Sequence, residues 1–123
     1  MQQQKILIVD DEKHLIELIS EALDIYGGYS VEKACNGKEG LEKYKAFSPD
    51  LVVMDIDMPV MDGYESSSKI KSYDPGARIL VLTGNPSDNR AMKTVKEGIA
   101  LTLLKKPIRL TDLNRTILES LPA

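Results

Sequence analysis

The chain has 123 residues, the length of one domain with a full hydrophobic core. Apolar residues make up 42% and charged residues 28%, as in ordinary globular proteins, and the formal net charge is −3. This weak negative charge argues against direct binding to nucleic acid, because phosphate recognition needs a basic surface. No apolar run approaches the length of a membrane span, so we expect no membrane partner and a cytoplasmic location.

Short apolar runs along the chain predict the strands of a sheet. Residues 6–9, 51–54 and 79–82 are continuously apolar, which is typical of strands buried on both faces of a parallel sheet. Residues 29–35 alternate more between apolar and polar side chains and predict an edge strand. Residues 101–104 are a weaker fifth candidate.

Amphipathic stretches between these runs predict helices. The first helix is predicted to end at Gly27 and Gly28, and its apolar stripe comprises Leu15, Ile16, Ile19, Ala22, Leu23 and Tyr26. The second contains Leu41, Tyr44 and Ala46-Phe47 and stops before Ser48-Pro49, because the residue before a proline avoids the helical region.

Capping residues predict where the remaining three helices begin. Asp62 and Glu65 have the spacing of a capping box for the third helix. Ser87 is expected to cap the fourth helix and Thr111 the fifth. Five βα units with short connections predict a doubly wound α/β domain, in which five helices flank a five-stranded parallel sheet.

Residues that can carry chemistry follow the predicted strands where each one ends. They are Asp10 and Asp11 after the first strand, Asp55 after the third, Thr83 after the fourth, and Lys105, Lys106 and Pro107 after the fifth. Ligands bind beyond the carboxyl ends of parallel strands, where the strand order reverses. If the order is 2-1-3-4-5, the first and third strands are neighbours there. Asp10, Asp11 and Asp55 then share one pocket.

Three carboxylates in one pocket repel each other. At about 4 Å and an effective dielectric constant near 20, each pair costs on the order of 4 kcal/mol. One carboxylate must take up a proton, or a divalent cation must neutralise the group. Hard oxygen ligands without histidine or cysteine suit Mg²⁺. Each residue alone is an ordinary loop or capping residue, and the prediction depends on their joint order along the chain.

The single cysteine, Cys35, is an alternative candidate nucleophile. The chain also has only one histidine, His14, as a candidate base. An unpaired thiol on an apolar strand is more often a small core residue, so we predict that Cys35 is structural.

The strand-end residues and their flanking motifs resemble those of a response-regulator receiver domain of two-component signalling, across essentially the whole chain. The matching segments are Asp10-Asp11-Glu12, Asn36-Gly37 with Glu39, Pro49-Asp50-Leu51-Val52-Val53-Met54-Asp55, Met58-Pro59-Val60-Met61-Asp62-Gly63, Thr83-Gly84 and Lys106-Pro107. The resemblance implies one receiver domain over residues 1–123, with a flavodoxin-like fold similar to single-domain chemotaxis regulators.

The resemblance also implies a reaction and a set of roles. Asp55 would accept a phosphoryl group from a sensor histidine kinase or a histidine phosphotransfer protein. Mg²⁺ would be held by Asp11, Asp55 and the backbone carbonyl of Asp57, with Asp10 acting through water. Thr83 and Lys106 would contact the phosphoryl oxygens, and the peptide bond before Pro107 would be cis.

The sequence departs from the family pattern at several positions. Asp57 stands where a non-acidic residue is common, and its extra carboxylate is expected to favour the cation and repel the phosphoryl group. Leu103 stands where the fifth strand usually carries an aromatic residue. Lys105 is an alternative to Lys106, which we prefer because it adjoins the proline. Leu101-Thr102 replaces an acidic pair that one large subfamily uses to dimerise.

Two other classes of function fit parts of the pattern. Asp55-Ile56-Asp57 resembles the nucleophile motif of aspartyl phosphohydrolases, although in those enzymes the motif follows the first strand. A degenerate receiver that only binds partners is disfavoured because every group that the chemistry needs is present. The preferred function is a phospho-acceptor rather than an enzyme. It would signal through a downstream target protein, or through an output domain if the chain is a fragment.

Overall fold

The computed structural model describes residues 3–122, in which five strands alternate with five helices. The strands are β1 (Lys5–Val9), β2 (Ser30–Ala34), β3 (Leu51–Asp55), β4 (Ile79–Thr83) and β5 (Thr102–Lys105). The helices are α1 (Lys13–Gly27), α2 (Gly37–Phe47), α3 (Gly63–Tyr73), α4 (Asn89–Lys96) and α5 (Leu110–Ser120). All pairings are parallel and the strand order is β2-β1-β3-β4-β5, which confirms the predicted fold.

The apolar strands supply both faces of the sheet with core residues. Because successive side chains of a strand point to opposite faces, Leu7 and Val9 pack on one side while Ile6 and Ile8 pack on the other. The first side is covered by residues of α2, α3 and α4, and the second by residues of α1 and α5. This two-sided burial explains why residues 6–9 of β1, 51–54 of β3 and 79–82 of β4 are continuously apolar in sequence.

Two residues, one in α1 and one just after β2, differ from the prediction. Tyr26 was predicted on the buried stripe of α1 but is 48% exposed. Tyr29, just beyond the helix, is buried instead, in the same core cluster as Ile19 and Leu23. Cys35 lies after the end of β2 and is only partly buried, so it is not the core residue that we predicted.

One of the three predicted helix caps is confirmed and two are wrong. Asp62 caps α3 by accepting a hydrogen bond from the backbone of Glu65 at 2.9 Å. Helix α4 is capped by Asp88 rather than Ser87, because the carboxylate of Asp88 accepts from two amides of the first turn. Helix α5 begins at Leu110 without a side-chain cap, so the predicted role of Thr111 is wrong.

The strand order places β1 and β3 side by side in the middle of the sheet. Their carboxyl ends, together with those of β4 and β5, form the edge on which the predicted site residues lie. Among the helices of residues 3–122, none combines the length and the apolar character needed to cross a membrane.

Candidate phosphoryl and metal site

Three carboxylates meet at the carboxyl ends of β1 and β3. One oxygen from each of Asp10, Asp11 and Asp55 can be chosen so that all lie within 4.8 Å of one another. Asp10 and Asp55 are buried, whereas Asp11 is exposed. Asp10 is held in place by the backbone amide of Glu12, which donates to its Oδ1 at 2.9 Å. The cluster that the sequence predicted is therefore present.

Lys106 places a positive charge inside this cluster. Its Nζ donates to Oδ2 of Asp10 at 2.9 Å and to Oδ1 of Asp55 at 3.1 Å. The backbone amide of Lys106 donates to the carbonyl of Thr83 at 2.8 Å, which continues the pairing of β5 with β4 past the strand end. Lys105, the alternative candidate, is exposed and forms no ion pair among residues 3–122. The Lys106–Pro107 peptide bond is cis, as the resemblance implied.

The environment of Asp55 favours its neutral form. Burial and then the charge of Asp10 raise its pKa to about 6, and the ammonium of Lys106 opposes this shift. Burial acts to lower the pKa of Lys106, but Asp10 and Asp55 outweigh it, so this pKa is raised. Lys106 thus remains charged near neutral pH.

Thr83 ends β4 with its side chain buried and its hydroxyl already engaged. The hydroxyl donates to the backbone carbonyl of Asn85 at 3.2 Å and accepts from the backbone amide of Asn85 at 3.1 Å. The side chain of Asn85 in turn accepts from the amide of Ser87 at 3.1 Å. The loop from Thr83 to α4 is therefore organised around Asn85, which the sequence analysis did not single out.

Close backbone packing holds the end of the β3–α3 loop against the backbone of Asp55 and Ile56. A Cβ atom at Gly63 would overlap the carbonyl of Asp55, and the amide of Gly63 donates to the carbonyl of Ile56 at 2.9 Å. In the same loop, Val60 has φ of 70° and is 79% exposed, a rare conformation for a β-branched residue. This close approach explains the glycine at the end of the loop motif.

The carboxylate of Asp57 lies outside the three-carboxylate group. Its side chain is 73% exposed and forms an ion pair with Arg90 of α4. Arg90 also contacts Asp88, with Nη2 at 3.1 Å from Oδ2, and Asp62, with Nη1 at 3.6 Å from Oδ2. The side chain of Asp57 is therefore paired with Arg90 and not with the three clustered carboxylates.

The donor set of the cluster suits a hard divalent cation. The three ligand atoms are carboxylate oxygens, and no histidine or cysteine belongs to the group among the residues described. Mg²⁺ binds through one or two carboxylates, keeps several waters and pairs with phosphate oxygens. One exposed and two buried carboxylates at a sheet edge that is open to solvent match these requirements.

Comparisons with known proteins agree with this geometry. The family described as "Response regulator receiver domain" matches residues 6–118. The chain is 37% identical to the chemotaxis protein CheY of Bacillus subtilis over 117 residues, covering 92% of this chain and 97% of that protein.

The chain belongs to the response regulator receiver domains.

Solved receiver structures superpose closely on this one. A CheY-like receiver domain protein from Methanospirillum hungatei has a TM-score of 0.89 at 31% identity, covering 96% of this chain and 93% of the other. The response regulator TrrA from Thermotoga maritima was solved in complex with Mg²⁺ and beryllofluoride. It has a TM-score of 0.85 at 30% identity, and the match covers 97% of this chain and 100% of TrrA. The receiver is accordingly a signalling phospho-acceptor by family.

Proposed function

We propose that this receiver accepts a phosphoryl group on Asp55 in a Mg²⁺-dependent reaction. The observation that carries the proposal is the position of Asp55 at the end of β3, in one cluster with Asp10, Asp11 and the ammonium of Lys106. A carboxylate nucleophile needs a nearby cation for the incoming phosphoryl oxygens, and this cluster provides one from the chain itself.

The bond changes follow from the chemistry of a phosphohistidine donor. A carboxylate oxygen of Asp55 forms the new P–O bond while the P–N bond of the donor breaks, and the imidazole nitrogen keeps the electron pair. Hydrolysis returns Asp55 to its free carboxylate, because water attacks phosphorus, the P–O bond to Asp55 breaks and inorganic phosphate is released. In this proposal the receiver itself accelerates both steps, and the negative charges of Asp10 and Asp11 beside Asp55 must be neutralised for the phosphoryl group to approach.

Mg²⁺ would be held by Asp11, Asp55 and the backbone carbonyl of Asp57, with Asp10 acting through water. When bound, the cation offsets the repulsion between the carboxylates and the anionic phosphoryl group. Support comes from the oxygen-only donor set and from TrrA, whose structure contains Mg²⁺ and beryllofluoride.

Lys106 and Thr83 would receive the phosphoryl oxygens. Lys106 already lies 3.1 Å from Oδ1 of Asp55, so its ammonium can move from the carboxylate to a phosphoryl oxygen with a small rotation. The hydroxyl of Thr83 must exchange its bond to the Asn85 carbonyl for a bond to the phosphoryl group. That exchange would couple the reaction at Asp55 to the β4–α4 loop.

The partners follow from the same chemistry. The donor would be a sensor histidine kinase or a histidine phosphotransfer protein, because both present a phosphohistidine. The signal would pass to a downstream target protein that distinguishes the two states of the β4–α4 loop.

Incubation with acetyl phosphate tests this function and separates the alternatives. With Mg²⁺ we expect one phosphoryl group per chain, detected by intact mass, and no label after chelation of the cation. Sustained release of phosphate at many turnovers would indicate a phosphohydrolase instead. Neither label nor turnover, in a folded protein that binds Mg²⁺, would indicate a binding module and overturn the proposal.

A further inference from the structure

Arg90 joins three separate segments around the rim of the candidate site. Its guanidinium contacts Asp57 of the β3–α3 loop, Asp62 at the start of α3, and Asp88 at the start of α4. Asp88, the N-cap of α4, also helps to orient the Arg90 guanidinium, because Nε of Arg90 donates to Oδ1 of Asp88 at 3.2 Å. The planar guanidinium has donors enough to serve all three carboxylates at once.

The contact with Asp57 concerns the phosphoryl site directly. Asp57 follows Asp55 by two residues, so their α carbons lie at most about 7 Å apart. Without Arg90, the exposed carboxylate of Asp57 could rotate towards the three carboxylates of the cluster. It would then add a fourth negative charge beside the cation and beside the path of an anionic donor.

We infer that Arg90 is a positioning residue, which holds the carboxylate of Asp57 away from the cluster and thereby sets the balance between cation binding and phosphoryl acceptance. The inference rests on the proposed function of Asp55. It requires both the acidic residue at 57 and its arginine partner at 90.

A freed carboxylate has opposite effects on a cation and on an anion. Moving one negative charge to within several ångströms of the site changes each interaction by about threefold to tenfold at an effective dielectric constant between those of protein and water. Mg²⁺ should therefore bind more tightly when Arg90 is removed. A phosphodonor such as acetyl phosphate should react more slowly, even when each variant is saturated with Mg²⁺.

The experiment measures both quantities in Arg90→Ala and in a matched control. The control is Lys96→Ala, which removes one exposed positive charge from the same helix at a residue without an ion pair among residues 3–122. Titration calorimetry at fixed ionic strength gives the Mg²⁺ affinity, and intact mass gives the phosphorylation rate. We expect a threefold or larger change in each for Arg90→Ala, in opposite directions, and less than twofold for Lys96→Ala.

A double-mutant cycle with Asp57→Asn separates this mechanism from a plain loss of charge. In the Asp57→Asn background no carboxylate can rotate, so Arg90→Ala should change both quantities by less than twofold. If Arg90 acted through its own field, its removal would have the same effect in both backgrounds. Arg90→Lys keeps a positive charge beside Asp57 and should restore most of the rate, while Arg90→Gln repeats the test with a side chain of similar length.

Several results would overturn the inference. Affinity and rate could fall together in both Arg90→Ala and Arg90→Gln, which would indicate a structural role. The effect could persist unchanged without Asp57, or Arg90→Ala could match Lys96→Ala. These outcomes differ from failure of the proposed function, in which the unaltered chain itself takes up no phosphoryl group.

Discussion

The ammonium nitrogen of Lys106 lies 3.1 Å from Oδ1 of Asp55, although the two residues are 51 positions apart in sequence. The same nitrogen lies 2.9 Å from Oδ2 of Asp10. Both carboxylates are buried, so these are charge-assisted hydrogen bonds in a partly desolvated site rather than surface ion pairs. Lys106 is consequently the cation that the chain itself contributes at Asp55.

Removal of this cation should impair phosphoryl acceptance. We predict that Lys106→Ala lowers the rate of labelling by acetyl phosphate by at least about tenfold, which corresponds to roughly 1.4 kcal/mol of transition-state stabilisation. Lys105→Ala is the matched control and should change the rate by less than about twofold. The ranking is checked by intact mass over time, and a reversed ranking would assign the role to Lys105.

The raised pKa of Asp55 predicts a pH-dependent cost in stability. Its pKa is about 6 in the folded chain, mainly because of burial, against an ordinary value of 3.8. A carboxyl group whose pKa is higher in the folded chain than in the unfolded chain does not reduce stability below its ordinary pKa. The free energy of unfolding then falls as the pH rises from the ordinary pKa through the raised folded pKa. The full difference corresponds to roughly 3 kcal/mol of the free energy of unfolding above about pH 7.

Urea unfolding with a chelator present tests this linkage. Asp55→Asn should be more stable than the unaltered chain by about 1–3 kcal/mol at pH 8 and nearly equal to it near pH 4. Addition of Mg²⁺ should stabilise the unaltered chain and leave Asp55→Asn largely unaffected. Asp24→Asn, which removes an exposed carboxylate of α1, should show no such pH dependence. Equal destabilisation by Asp55→Asn at both pH values would contradict the account.

The signal should leave the site through the β4–α4 loop. The hydroxyl of Thr83 holds both backbone groups of Asn85, so its movement towards a phosphoryl oxygen releases the loop before α4. Leu103 is a partly buried aliphatic residue packed on the core, with no ring that could rotate inward. We therefore predict that beryllofluoride with Mg²⁺ shifts the backbone amides of residues 84–92 much more than those of residues 101–104.

A pair of Thr83 variants tests the proposed cause of these shifts. Thr83→Ser keeps the hydroxyl and should retain the pattern of amide shifts, whereas Thr83→Ala should lose most of the response in residues 84–92. Larger shifts along β5 than in the loop would mean that the signal travels through β5 even without an aromatic residue.

The sequence was sufficient to predict the parts of the fold that depend on local pattern. Continuous apolar runs located β1, β3 and β4, because strands buried on both faces leave no room for polar residues. The parallel order then brought Asp10, Asp11 and Asp55 together, since the strand ends meet at one edge. The choice of Lys106 over Lys105 followed from its proline neighbour, and the structure has Lys106 as the lysine at the cluster.

Other features depend on geometry that a linear pattern does not contain. Ser87 and Asp88 are adjacent capping residues of similar propensity, and only the turn around Asn85 decides that α4 starts after Asp88. The pair of Asp57 and Arg90 joins residues 33 positions apart, and neither has a local signal for it. Cys35 lay one residue beyond the strand that would have buried it.

The assignment of the acceptor is tested most directly by the intact mass of the chain after incubation with acetyl phosphate and Mg²⁺. The unaltered chain and Asp24→Asn should each gain the mass of one phosphoryl group, and Asp55→Asn, with its fold verified by circular dichroism, should gain none. Full labelling of Asp55→Asn at the rate of the unaltered chain would contradict the account, because another residue would then be the phosphoryl acceptor.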